Sequence, residues 1–86
     1  MYKIEIAPKA LKFLDHLKKS HAKIAEHIIL AIDELKESPH KGKKLMGPLG
    51  DFRSLRVGLY RIIYTIIENQ IIIQIVKITH HKDVYR

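Results

Sequence analysis

Cysteine is absent from this 86-residue chain, so neither a disulfide framework nor a thiolate metal site can hold its fold together. That absence fits a reducing compartment. A long apolar run is missing too. The best stretch, Ile62 to Ile78, is interrupted by Glu68-Asn69-Gln70 and by Gln74, which argues against a transmembrane helix. Met1 to Ile6 carries Lys3 and Glu5 inside its apolar residues and has no small-residue cleavage site, so no signal peptide is expected. These absences together predict a cytoplasmic protein. No internal repeat or low-complexity tract breaks the chain into parts. A single domain, residues 1–86, is expected, and an apolar fraction of 47% suffices for one modest core.

Acidic residues are also scarce, 9 against 16 lysines and arginines, which leaves a formal charge of +7. Residues 1–35 are nearly balanced at +1, residues 36–61 carry +5, residues 62–76 carry −1 and residues 77–86 carry +2. The positive charge therefore gathers in the middle and returns at the tail. Such a field favours a polyanion: nucleic acid, an anionic membrane surface or an acidic protein.

Tyr2-Lys3-Ile4-Glu5-Ile6 alternates and predicts a strand ended by Pro8, which suits the first turn of a helix. Leu11, Leu14 and Leu17, with Ala10 and Phe13, form an apolar stripe against Lys9, Lys12, Asp15, Lys18 and Lys19. That predicts a helix of about three turns. Ser20 is the expected N-cap of a second helix, of roughly five turns, with Ala25, Ile28, Ile29, Ile32 and Leu35 on its apolar side and Ser38-Pro39 at its end. Residues 39–51, rich in glycine, proline and lysine, predict a basic loop. Phe52 to Val57, Tyr60 to Ile67 and Ile71 to Ile78 predict three more strands, joined by turns at Gly58-Leu59 and Glu68-Asn69-Gln70. The expected fold is α+β, in the order β-α-α-β-β-β: an N-terminal strand, an antiparallel helical hairpin, then a three-stranded antiparallel meander.

Register follows from the turns. With Gly58-Leu59 as the first turn, Val57 opposes Tyr60, Arg56 opposes Arg61 and Ser54 opposes Ile63. Phe52, Ser54, Arg56 and Arg61 then share one face, while Tyr60 and Tyr64 fall with Leu55, Val57, Ile62 and Ile66 on the other, against the helices. With a three-residue second turn, Ile67 opposes Ile71, Arg61 opposes Lys77, and His81 continues the same parity. Like charges placed directly opposite cost a few tenths to about 1 kcal/mol per pair. Arg56, Arg61 and Lys77 in one row therefore suggest an anion that offsets the repulsion, and arginine grips phosphate in a bidentate fork. The plain alternative is a solvated polar face of long side chains.

Several segments together resemble the RelE/ParE superfamily of bacterial and archaeal toxins from toxin–antitoxin pairs. They are the strand and helical hairpin of Met1 to Ser38, Lys44-Leu45-Met46-Gly47, Leu55-Arg56-Val57-Gly58-Leu59-Tyr60-Arg61-Ile62-Ile63-Tyr64, and the ending His80-His81-Lys82-Asp83-Val84-Tyr85-Arg86. The resemblance implies a RelE-like fold and a toxin held by a cognate acidic antitoxin. For the RNA-cleaving branch it implies cutting of messenger RNA, often on the ribosome, without metal, cofactor or membrane. There the 2′-hydroxyl attacks the adjacent phosphate and leaves a cyclic phosphate and a 5′-hydroxyl. By that resemblance Arg61 stabilises the phosphate, Tyr85 orients or stacks on substrate, and His81 serves as acid or base, since histidine titrates near neutrality. Lys44, Phe52, Arg53, Arg56, Lys77, Lys82 and Arg86 are the expected RNA contacts.

One departure stands out. Two basic residues that precede the arginine hairpin in the RNA-cleaving members are Phe52 and Ser54 here. Lys44, Arg53 or His81 would have to replace the base, unless the chain cleaves poorly; Phe52 could instead stack on a nucleobase, worth ~1–3 kcal/mol. The alternatives are a ParE-like inhibitor of DNA gyrase and an inactive, antitoxin-binding relative. His80-His81 does not suggest a metal site, because neighbours on an extended chain point to opposite faces and no carboxylates accompany them. His16, His21, His27 and His40 are expected to be solvated.

Overall fold

The structure, a computed structural model, describes residues 1–80. Its elements are β1 (Lys3–Ile6), α1 (Pro8–Ser20), α2 (Ala22–Glu34), β2 (Lys43–Lys44), β3 (Arg53–Val57), β4 (Tyr60–Ile67) and β5 (Ile72–His80). They build a five-stranded sheet in the order β1-β5-β4-β3-β2. β1 runs parallel to β5, and the other neighbours are antiparallel. The helical hairpin lies on one face, as expected for this α+β pattern. β2 lies in the stretch whose composition predicts a loop. Two lysines are too short a run to show alternation; the ladder comes from pairing with Ser54 and Arg53, extended by the Leu45 N–H on the Phe52 carbonyl at 3.0 Å.

The core lies between the helices and the inner face of the sheet. Ala10, Leu14 and Leu17 of α1, and Ala25, Ile28 and Ile32 of α2 with Leu35 beyond it, pack against Ile62, Tyr64, Ile73, Ile75 and Ile78. Tyr60 is half-buried edge-on to Phe13, ring centroids 6.1 Å apart, so both tyrosines of the hairpin face the helices as the register predicts. The apolar stripes are narrower than the sequence suggests. Leu11 and Ile29 are 43% and 39% exposed, because the hairpin gives each helix only one side to bury.

The inter-helix corner also differs. Ser20 closes α1 instead of capping α2, and its hydroxyl donates back to the His16 carbonyl at 3.2 Å. His21 takes the N-cap position, and α2 runs 13 residues, between three and four turns rather than five.

The first β-hairpin has the derived register: Val57 opposite Tyr60, Arg56 opposite Arg61 and Ser54 opposite Ile63. The second does not. Ile71 adopts a left-handed conformation (φ 56°, ψ 46°) and belongs to the turn, so Ile67 opposes Ile72 and β5 starts one residue later. That shift alone would send Lys77 to the helix side. A bulge then compensates: Tyr64 opposes Ile75 while Ile63 opposes Lys77, which leaves Val76 as the extra residue. Arg61 consequently opposes Thr79, and Lys77 stands one step along the same face.

Candidate functional site

The outer face of the sheet carries two cross-strand rows. Lys43, Ser54, Ile63 and Lys77 are successive partners across β2, β3, β4 and β5; Arg56, Arg61 and Thr79 make the adjacent row. Direct partners share a face, so Lys43, Arg56, Arg61 and Lys77 share one surface with Ser54. Ser54 is 4% exposed and accepts a hydrogen bond from Arg61 Nη1 at 3.1 Å. This contact draws the guanidinium from β4 across to β3, the strand that pairs with Lys43. Arg56 is exposed and donates through Nε to the Gly58 carbonyl at 3.1 Å, which ties it to the hairpin turn. Cations gathered around one half-buried arginine suit a multiply charged anion, and the planar fork of Arg61 suits phosphate oxygens.

Other expected contacts lie elsewhere. Arg53 sits opposite Tyr64, on the helix-side parity, and donates from Nη1 to the Gly42 carbonyl at 2.8 Å and the His40 carbonyl at 3.4 Å. Lys44 opposes Arg53, and the two line a recess with His40, Asp51, Ile66 and Glu68. Neither joins the row around Arg61. Phe52 is half-buried just before β3. Lys43, which the sequence pattern passed over, takes the place expected of Lys44; its signal was its alternation with Lys44, visible only once β2 is known to be a strand. His81, Lys82, Tyr85 and Arg86 lie outside the described residues.

Beneath this face, Tyr64 is fully buried, yet its hydroxyl is paired: it donates to the Pro39 carbonyl and accepts from the Gly42 N–H, both at 2.8 Å. Burial raises its pKa, partly offset by that N–H and by the Arg53 charge. Among the described residues, no group of three or more His, Asp or Glu side chains could hold a metal ion, and no helix is long and apolar enough to cross a membrane. His16, His21, His27 and His40 are exposed, while His80 stacks edge-on to Tyr60 at 5.3 Å on the helix side.

A five-stranded sheet of this order, with a helical hairpin on one face and a cationic surface on the other, is the RelE-like fold of RelE/ParE-superfamily toxins. The toxin–antitoxin complex RelBE2 of Mycobacterium tuberculosis matches with a TM-score of 0.81 at 25% identity, covering 92% of this chain and 96% of that one. The intact RelBE complex of Escherichia coli matches with a TM-score of 0.79 at 18% identity, covering 93% and 96%. The family model for the ParE toxin of type II toxin–antitoxin systems, parDE, matches residues 4–85, and the chain belongs to that family. It is also 32% identical to the toxin candidate RelE4 of Methanocaldococcus jannaschii, over all of this chain and 93% of that protein. The chain is thus the toxin of a type II toxin–antitoxin system.

Proposed function

We propose that this toxin is a metal-independent endoribonuclease that cleaves messenger RNA, on the ribosome, by attack of a 2′-hydroxyl on the adjacent phosphorus. The observation that carries the proposal is Arg61, seated on buried Ser54 among Lys43, Arg56 and Lys77. In the reaction the 2′-oxygen bonds to phosphorus, the 5′-oxygen leaves with a proton, and a cyclic phosphate and a 5′-hydroxyl result. Negative charge grows on the non-bridging oxygens, and preorganised cations act most strongly on that growth. Of the three groups able to replace the missing base, Lys44 and Arg53 turn away from Arg61. Proton transfer is therefore assigned to His81, with Tyr85 orienting the substrate and Lys82 and Arg86 adding charge; all four lie outside the described residues.

The charge of +7 further supports an acidic antitoxin as the partner. So do the relatives solved as toxin–antitoxin complexes. Co-expression with the neighbouring small open reading frame should give a stable complex and relieve toxicity; recovery of the lone protein, non-toxic and unbound, contradicts this.

A second reading, inhibition of DNA gyrase, is favoured by one observation. Ser54 is committed to Arg61 and Phe52 is apolar, so the strand before the arginine supplies no base. Primer extension on translated messages, run beside a gyrase supercoiling assay, separates the two. Discrete cleavage ends in translated messages support the ribonuclease; loss of supercoiling with intact messages supports the inhibitor. Antitoxin binding without either activity identifies an inactive relative.

A further inference from the structure

We infer that the arm of residues 39–44 is a built part of the phosphate-binding face: Lys43 is its fourth cation, and the buried Tyr64 hydroxyl is the positioning group that sets it there. The inference rests on the RNA reading above and adds what holds Lys43 in its row and what length of ligand that row spans.

A lysine-rich surface loop ordinarily gains nothing from being held in one place, because its charges repel and its side chains are well solvated. This arm is held at several points. Tyr64 donates to the Pro39 carbonyl and accepts from the Gly42 N–H, while Arg53 donates to the Gly42 carbonyl. Both polar groups of residue 42 are thereby fixed immediately before Lys43. The approach is so close that a Cβ on Gly42 would lie 2.6 Å from the Tyr64 oxygen, so glycine is required there. With residue 42 fixed, Lys43 pairs with Ser54 and Lys44 with Arg53. Alternation then puts Lys43 on the Arg61 face and Lys44 on the other.

The resulting row, Lys43-Ser54-Ile63-Lys77, crosses four strands. At about 4.8 Å per strand it spans ~14 Å, with Arg56 and Arg61 alongside. A single phosphate cannot engage both ends. The arrangement fits several successive phosphates of an extended single strand, so the ligand class is a polynucleotide and not a mononucleotide.

The test is binding of a short single-stranded RNA to the whole toxin across salt concentrations. Each phosphate contact contributes about −0.7 to the slope of log affinity against log salt. Lys43→Ala should flatten the slope by that amount and weaken binding about fivefold near 0.1 M salt, while Lys44→Ala leaves the slope unchanged. Tyr64→Phe should flatten the slope like Lys43→Ala, and the double variant should lose no more than either alone. A merely structural role for Tyr64 would lower stability and leave the slope alone. Equal slopes lost with Lys43 and Lys44, or none lost with Lys43, overturn the inference. Wild-type protein that binds no RNA sinks the ribonuclease reading instead, and the arm is then judged by NMR with pyrophosphate. Lys43 and Arg61 side-chain resonances moving together uphold the assignment; movement of Lys44 in place of Lys43 refutes it.

Discussion

On the inner face of the sheet, Ile62, Tyr64, Ile73 and Ile75 are 0% exposed and touch the helices. On the outer face of the same strands stand Arg56, Arg61 and Lys77, with Lys43 beside them on β2. Alternate residues of one strand therefore face opposite demands. The inner set supplies the apolar burial that makes so small a domain fold. The outer set brings like charges together at a cost to the fold, and Arg56 directly opposite Arg61 is the clearest case. What stabilises the toxin and what equips it are separated by the thickness of the sheet, and variants on the two faces should behave differently.

The largest effect belongs to the inner face. Ile75→Ala removes a fully buried β5 side chain from the core, and should cost about 2–5 kcal/mol of stability by chemical denaturation. A loss below 1 kcal/mol would mean that the core collapses readily around the site and that the two faces are not distinct in stability.

An intermediate effect links the faces through Tyr64. Its phenol is raised above the ordinary 10.0 by burial. The fold therefore favours the neutral form: this stabilisation is whole below the unfolded pKa and is lost as pH rises through the folded one. Stability should decline above pH 10, and Tyr64→Phe should flatten that alkaline limb. Tyr2, raised chiefly by its hydrogen bond to Glu68, should account for part of what remains. An unchanged limb in Tyr64→Phe would contradict the buried-phenol account.

The smallest effect is on the outer face and has the opposite sign. Arg56→Ala removes one of two like charges in direct opposition and should raise stability by a few tenths to about 1 kcal/mol at low salt, while RNA affinity falls. A destabilised variant would show that the Arg56 contact to the Gly58 carbonyl outweighs the repulsion.

The two hairpins also show what a sequence can and cannot disclose. Gly58 takes a positive φ of 59° in a two-residue turn, the chemistry that glycine advertises, and every pair of the β3–β4 ladder follows from it. At the second turn the left-handed residue is Ile71, a β-branched side chain that ordinarily avoids that conformation, so it read as the first residue of a strand. The bulge at Val76 left no local mark either. Its energy lies in seating Ile73 and Ile75 on one side of it, and Ile78 on the other, in the same core. Two one-residue shifts cancelled in parity, which is why Lys77 shares a face with Arg61 although it opposes Ile63. At the site, the Arg56–Arg61 pairing was legible from the turn. The exchange of Lys43 for Lys44, the Ser54 contact and the Arg53 hydrogen bonds to the arm were not, because they depend on a two-residue strand fixed by distant partners.

If the outer cations serve RNA chemistry and not the fold, Arg61→Ala measured for both properties shows it most directly. Cleavage of a translated message should fall roughly a hundredfold or more, the scale for losing one preorganised charge stabiliser. The hydrogen bond to buried Ser54 is lost as well, at a cost of about 1–3 kcal/mol, and the variant should stay folded. A folded Arg61→Ala variant that cleaves as fast as the wild type would contradict the account.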